Sequence, residues 1–202
     1  GGRIYSEEFN GVEGVKNVYF DRHLFQPLLC RNDKVTSTPI GLDADEKDFI
    51  VQIRNYIQTE KFKEICEDKE VFILRNLSKG NGIGFFEADN FYPDFILWIK
   101  EESKQYITFV DPKGIIMLSN FEHPKIKLAE TIKSKQNKLE SYKGQIVILN
   151  SFLVSNTNFN KAREAFNDPY LTKDDFVKMN IIFQEDKEKG IDKMFKKILE
   201  IL

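Results

Sequence analysis

The chain has 202 residues, of which 30 are Lys or Arg and 32 are Asp or Glu, and its formal net charge is -2. This length is typical of one domain, and 41% hydrophobic and 13% aromatic residues exclude a disordered chain. The sequence lacks both a secretory signal and an apolar run of the ~18–20 residues that a membrane span needs. We therefore expect a globular cytoplasmic protein without a membrane partner.

Cysteine and histidine are too few and too scattered for the commonest metal sites. Cys30 and Cys66 cannot form a disulfide framework or a four-thiolate zinc site, and they suit a reducing compartment. His23 and His123 lie far apart, with no second ligand at zinc spacing near either. A metal in this protein would therefore be held by carboxylates, which favours hard cations such as Mg²⁺.

The first 42 residues have mixed character, and we predict an N-terminal arm or linker over 1–42. Short apolar pieces at Val18–Phe20 and His23–Cys30 indicate one or two short strands. The opening pair of glycines resembles a cloning remnant, so we expect a chain cut from a longer protein. The domain itself is predicted over 43–202, including a C-terminal helical extension.

A helix is predicted from about Asp45 to Ile65, because apolar residues recur there at intervals of three and four. These residues are Phe49, Ile50, Ile53, Ile57, Phe62 and Ile65. Acidic residues crowd the start of this segment, where they complement the helix dipole. The pattern then becomes typical of a strand at Val71–Leu74.

Two apolar runs, Phe95–Ile99 and Tyr106–Val110, flank the polar segment Lys100–Gln105. Their spacing predicts a β-hairpin with a loop of six residues. Each run is apolar on both faces, so both strands should lie in the middle of a sheet that is covered on two sides.

The remainder of the chain alternates between helix and strand patterns. A basic amphipathic helix is predicted over 125–141, within a segment, 113–143, that has seven lysines and three glutamates. Further elements are predicted as strands at Gln145–Leu149 and Ile181–Phe183, and as helices at Lys161–Phe166, Thr172–Val177 and Ile191–Leu202. The order helix–strand–strand–strand–helix–strand predicts an α/β fold with a mixed central sheet flanked by helices.

Three polar residues mark one end of the predicted hairpin. Asp94 directly precedes the first strand, and Asp111 and Lys113 end the second. In an antiparallel pair the start of one strand lies beside the end of the other, and side chains two residues apart share a face. We therefore expect two carboxylates and one ammonium group to converge.

Two adjacent carboxylates repel each other and raise each other's pKa unless a cation lies between them. A divalent cation there would stabilise the charge of a phosphodiester transition state, with Lys113 beside it. Pro112 could add its backbone carbonyl as a ligand, and its missing N–H predicts that the strand ends or bulges there. The alternative is an ordinary type I or II turn at 111–114 with surface charges.

The pair Pro93-Asp94 with Asp111-x-Lys113 resembles the signature of the PD-(D/E)XK nuclease superfamily, whose core order is αβββαβ. The longer blocks 90–98 and 104–114 are similar to the C-terminal endonuclease domain of the restriction (Res) subunit of type III restriction enzymes. They are also similar to related DEAD/DEAH-box helicase–nuclease fusions. The resemblance extends from about residue 23 to about residue 183.

This resemblance implies that Asp94 and Asp111 bind Mg²⁺, with Mn²⁺ as a substitute, and that Lys113 orients water or stabilises the pentavalent phosphate. It also implies a further ligand from the first helix, where Glu46 stands in this chain. The alternative for Glu46 is an acidic residue placed favourably on the helix dipole. Glu87 is a further candidate for the site, and its alternative is an exposed charge.

The function implied is that of a Mg²⁺-dependent endodeoxyribonuclease, the cleavage module of a type III restriction protein. The implied partners are DNA, a superfamily 2 helicase motor in the same parent polypeptide, and a DNA methyltransferase subunit. The present residues contain neither a Walker A sequence nor a DEAD or DEAH box, so the motor is expected upstream. The alternative, from another class, is a non-catalytic module that binds DNA or docks a helicase.

Overall fold

A computed structural model of the chain describes residues 17–18, 23, 28–31, 41–77, 82–85, 88, 90–139 and 144–202. Most of the predicted N-terminal arm, and Glu87, lie outside the described residues. Within the described ranges, no helix combines the length and apolar character needed to cross a membrane.

The described parts of the predicted arm pack against the domain. Strands β1 (Asn17–Val18) and β2 (Leu28–Leu29) form a small antiparallel pair. Leu28 is buried in the same apolar cluster as the first helix and the main sheet. His23 Nδ1 lies 2.6 Å from the Val71 carbonyl oxygen, which ties this segment to the domain.

The single helix predicted near the start of the domain is two helices, α1 (Ala44–Ile57) and α2 (Glu60–Cys66). Thr59 separates them, because its hydroxyl donates to the Tyr56 carbonyl and accepts a hydrogen bond from the Phe62 N–H. A threonine that caps a new helix in this way competes with continuation of the first one.

The centre of the fold is a five-stranded mixed sheet. Its strands, in spatial order, are β3 (Glu70–Arg75), β4 (Phe95–Lys100), β5 (Lys104–Lys113), β6 (Ile146–Ser155) and β7 (Ile181–Phe183). Strand β4 runs antiparallel to both β3 and β5, whereas β6 is parallel to β5 and β7 is parallel to β6. The hairpin strands β4 and β5 lie inside the sheet, as their two apolar faces predict.

Helices cover both faces of the sheet, which confirms the predicted α/β class with a mixed sheet flanked by helices. The remaining helices are α3 (Pro124–Gln136), α4 (Phe159–Ala165), α5 (Lys173–Lys178) and α6 (Glu188–Ile198). One apolar cluster joins the sheet to α1, α2 and α6, and the other joins it to α3, α4 and α5. Helix α3 connects the parallel strands β5 and β6.

Several elements have other lengths than predicted. The hairpin loop has three residues, 101–103, because Lys104 and Gln105 belong to β5. Strand β6 continues to Ser155 instead of ending at Leu149, because it pairs with β5 along ten residues that include buried Asn150. Helices α3 and α6 end earlier than their periodic patterns predict, at Gln136 and Ile198.

Candidate metal centre

The register of β4 and β5 brings Asp94 and Asp111 together. Phe95 pairs with Val110, so Asp94 lies opposite Asp111 one step beyond the last pair. Near the turn, the Glu101 N–H donates to the Lys104 carbonyl at 3.0 Å. Hydrogen-bonded pairs alternate along an antiparallel ladder, so Asp94 and Asp111 form a non-hydrogen-bonded pair, the type whose side chains are closest.

Lys113 joins the two carboxylates because it lies two residues beyond Asp111 on the same strand and therefore on the same face. Its Nζ is 3.7 Å from Asp111 Oδ2. The Asp111 side chain is only 5% exposed, whereas the side chains of Asp94 and Lys113 are 32% and 38% exposed. The structure thus brings the three predicted residues to one end of the sheet.

Pro112 does not end the strand, so the predicted strand end or bulge is wrong, as is the alternative of a turn at 111–114. Strand β5 continues to Lys113, whose carbonyl accepts a hydrogen bond from the Asn156 N–H on the β6 side. The carbonyl of Pro112 therefore points away from β6, to the side of β4. The ladder with β4 stops at the pair Phe95–Val110, so the missing N–H of Pro112 removes no bond from it.

Glu46 lies in the first turn of α1 as part of a capping box with Asp43. The Glu46 N–H donates to Asp43 Oδ1, and the Asp43 N–H donates to Glu46 Oε2, both at 2.9 Å. Its other oxygen, Oε1, accepts a hydrogen bond from Arg75 Nη2 at 2.7 Å. The helix-terminal role considered for Glu46 is therefore present, and its role as a metal ligand remains a prediction.

Arg75 was missed by the sequence analysis, although it lies between two of the predicted site residues. Its Nη1 is 3.8 Å from Asp94 Oδ1, and its guanidinium carbon is 4.8 Å from the centre of the Phe95 ring. Arg75 pairs with Phe95 across β3 and β4, so its side chain leaves the sheet on the face that α1 covers. From there the side chain extends past the start of β4 to Asp94. A charged residue directly after the apolar run Val71–Leu74 was the available signal.

A second ammonium group, that of Lys125, lies near the carboxylates beside the Phe91 ring. The Nζ atoms of Lys113 and Lys125 lie 5.9 and 5.2 Å from the centre of this buried ring. Lys125 is in the first turn of α3, and its charge opposes the burial that raises the pKa of Asp111. In the sequence, Lys125 is one of several lysines in a basic segment, and its distance from the hairpin depends on how α3 packs.

The electrostatics of the pair disfavour a negative charge on both carboxyl groups unless a further cation lies between them. Burial, the charge of Asp111 and a hydrogen bond to the Asp111 carboxyl raise the pKa of Asp94 to about 7. Burial also raises the pKa of Asp111, although the Asp94 hydrogen bond and the Lys113 ammonium oppose it. The pair therefore shares a proton at neutral pH, and a cation would take the place of that proton.

An orphaned oxygen indicates where a cation fits. Asp111 Oδ2 is buried and accepts no hydrogen bond from any residue that the structure describes. Two paired carboxylates suit Mg²⁺, which commonly takes one or two carboxylates and keeps several waters. The predicted role of the Pro112 carbonyl as a further ligand remains a prediction. No three acidic, His or Cys side chains in the described part of the chain are grouped to share one ion. The residues present therefore fit one partly hydrated Mg²⁺ at Asp94 and Asp111.

Comparisons with protein-family models, with curated proteins and with solved structures found no match for this chain. The observations that bear on the carboxylate pair are therefore its own geometry and the sequence motifs around Asp94 and Asp111. The family and the activity that those motifs imply remain proposals.

Proposed function

We propose that this chain is a Mg²⁺-dependent endonuclease domain that hydrolyses phosphodiester bonds in DNA. The observation that carries the proposal is the position of Asp94 directly opposite Asp111 on one face, with Lys113 two residues further along. Such a cluster combines two oxygen ligands for a hard cation with a cationic donor for a phosphate.

Asp111 and Asp94 have different parts in this proposal because their exposure differs. Asp111 is buried on a central strand of the sheet and would offer its orphaned Oδ2 to the cation. Asp94 is partly exposed and would be the ligand nearer to solvent. Mg²⁺ bound by the two carboxylates would supply a Lewis acid for a phosphate oxygen, and the Pro112 carbonyl would be a further candidate ligand.

Lys113 donates hydrogen bonds to the phosphate in this proposal. Its ammonium group is partly exposed beside Asp111, so it can reach an oxygen of a bound phosphodiester and stabilise the negative charge that develops there. Lys125, whose Nζ lies 5.2 Å from the centre of the Phe91 ring, adds a second positive charge near Asp111. Positive charge near a cleft raises the local concentration of a polyanion such as DNA.

The order of the elements also supports the proposal. Helices α1 and α2 precede three antiparallel strands, and α3 leads to the parallel strand β6, which is the αβββαβ order of the PD-(D/E)XK core. By that resemblance we further propose a cleavage module of a type III restriction protein. A helicase motor in the same polypeptide and a methyltransferase subunit would be its partners, in the cytoplasm.

The alternative is a non-catalytic module in which the charges are structural. One observation favours it, because each carboxylate already has a cation within 4 Å. Arg75 Nη1 lies 3.8 Å from Asp94, and Lys113 Nζ lies 3.7 Å from Asp111. In this alternative the fold binds DNA or a helicase, and the cluster only stabilises the end of the sheet.

Nicking of supercoiled plasmid in Mg²⁺ or Mn²⁺ tests the proposal. The wild type is expected to nick, and Asp94→Asn, Asp111→Asn and Lys113→Ala are expected to lose nicking. Asp174→Asn and Lys178→Ala serve as matched controls, because these side chains are 76% and 75% exposed on α5. Nicking that continues unchanged in Asp94→Asn and Lys113→Ala would contradict the assignment.

Binding of Mn²⁺, measured by equilibrium dialysis, separates the two functions. The nuclease proposal expects Asp111→Asn to lose Mn²⁺ and Lys113→Ala to retain it, because only the carboxylate is a ligand. Retention of DNA by a wild-type chain that binds no Mn²⁺ and cuts nothing would favour the non-catalytic module.

A further inference from the structure

Three acidic side chains lie around the end of β4, and Asp94 is in the middle of them. Asp111 lies on one side of Asp94, on the face that α3 covers, and Glu46 lies on the other side, at the start of α1. A carboxylate between two others can bridge two divalent cations, which in two-metal sites are about 3.5–4 Å apart. The Glu46 side of Asp94 is therefore where a second cation would bind.

The guanidinium group of Arg75 occupies that space. Its Nη2 donates to Glu46 Oε1 at 2.7 Å, and its Nη1 lies 3.8 Å from Asp94 Oδ1. The Arg75 side chain is 9% exposed and stacks on the Phe95 ring, so it is fixed by packing as well as by charge. Arginine also keeps its positive charge at every pH at which the protein is folded.

Glu46 has little capacity left for a metal. Both of its oxygens accept hydrogen bonds, Oε1 from Arg75 and Oε2 from the Asp43 N–H. By contrast, Arg75 Nη1 is buried and donates no hydrogen bond to any described residue, and it points towards Asp94. The guanidinium thus provides the positive charge that Asp94 would otherwise obtain from a second ion.

We propose that Arg75 takes the place of a second divalent cation between Glu46 and Asp94, so that this centre binds one metal ion. Glu46 is then a positioning residue that holds Arg75, and it does not ligate the metal. The inference rests on the proposed function, because it requires the first cation at Asp94 and Asp111. It revises the ligand role that the sequence resemblance implies for Glu46.

The test is the number of Mn²⁺ ions bound per full chain at saturation, measured by equilibrium dialysis. The wild type is expected to bind one, and Arg75→Gln is expected to bind two, because the space and the negative charge of Glu46 become available. Arg75→Lys, which keeps the charge, and the double variant Arg75→Gln with Glu46→Gln should both bind one. Lys100→Gln, which removes a cation paired with Glu70 at the other end of β4, is the matched control and should also bind one.

Electron paramagnetic resonance of the Mn²⁺-saturated wild type gives an independent readout that needs no variant. An isolated-ion spectrum is expected, and the spectrum of an exchange-coupled pair would overturn the inference even if Arg75→Gln failed to fold. A folded Arg75→Gln that still binds one ion would overturn the inference and leave the proposed function intact. A wild type that binds no Mn²⁺ would instead overturn the proposed function, and the inference with it.

Discussion

The two ends of the β4–β5 hairpin contain the same kinds of charged residue in different surroundings. At the turn end, Lys100 and Glu70 form an ion pair of 3.2 Å with side chains that are 40% and 59% exposed. At the other end, the side chains of Arg75, Glu46 and Asp111 are 9%, 7% and 5% exposed.

This difference shows that burial, and not the number of charges, distinguishes a candidate site from an ordinary surface. An exposed pair such as Lys100–Glu70 stays solvated and contributes little to stability. Carboxylates are costly to desolvate, and at the opposite end this cost, together with the charge of Asp111 and the hydrogen bond to it, raises the pKa of Asp94 to about 7. Perturbed pairs of this kind are concentrated at functional sites.

The largest expected difference between the two ends is in catalysis. Asp111→Asn should lower the initial rate of plasmid nicking in Mg²⁺ by at least about 10³-fold, because it removes a buried ligand and its charge. Glu70→Gln removes one negative charge at the turn end and should leave the rate unchanged. Equal losses in the two variants would mean that the carboxylate pair has no special role.

The next effect is on stability. Arg75→Ala should lower the free energy of unfolding by about 3–5 kcal/mol, because it leaves the buried Glu46 carboxylate without its partner. Lys100→Ala should lower it by at most about 1 kcal/mol, since Glu70 stays in water. Urea unfolding followed by circular dichroism measures both, and a loss below about 1 kcal/mol for Arg75→Ala would show that the buried pair is energetically ordinary.

The pH dependence of stability is a smaller effect, to which Asp94 contributes through its raised pKa. The pKa of Asp94 rises from 3.8 in the unfolded chain to about 7 in the folded protein. Its contribution to stability is therefore complete below about pH 4 and is lost as the pH rises through about 7. Because the side chain is 32% exposed, we expect a loss of only roughly 1–2 kcal/mol between pH 5 and pH 8.

Urea unfolding in EDTA at these two pH values measures this loss. Asp94→Asn should lose less stability than the wild type over this range, because only the raised pKa values of Asp111 and Glu46 remain. It should also be more stable than the wild type at pH 8, and Mg²⁺ should restore the wild type there. The exposed change Asp174→Asn is the control and should follow the wild type. A wild type that gains stability from pH 5 to pH 8, relative to Asp94→Asn, would reverse the sign and reject the shared proton.

The smallest effect concerns the exposed pair itself. A double-mutant cycle on Lys100 and Glu70 should give a coupling energy of roughly 0.2–1 kcal/mol. It should vanish in about 1 M NaCl, where the Debye length is about 3 Å. The same cycle on Arg75 and Glu46 should give a larger coupling that salt changes little, and a similar salt dependence at both ends would remove the distinction between them.

The approach of Asp94 to Asp111 could be predicted from sequence because it depends on one local hairpin. The predicted loop was too long, but its first and last residues, Lys100 and Gln105, pair with each other in the structure. Shortening the loop from both ends therefore preserved the register. Apolar runs on both faces also sufficed to place β4 and β5 inside the sheet.

The rest of the cluster depends on contacts that no local pattern specifies. Arg75 and Glu46 are 29 residues apart and lie on the opposite face of the sheet from Asp111. Their contact depends on how α1 packs against β3. The predicted strand end or bulge at Pro112 was wrong for a similar reason. It depended on where the ladder between β4 and β5 stops, which is before Pro112.

Two prolines, Pro93 and Pro112, each stand next to one of the acidic residues of the pair. Neither proline has an N–H, so neither can donate a backbone hydrogen bond that would extend the ladder beyond the carboxylates. The Pro93 carbonyl instead accepts a hydrogen bond from the Asn76 side chain at 2.7 Å. The last paired residues of β4 and β5 are therefore Phe95 and Val110, and the acidic pair stays at the end of the ladder instead of inside it.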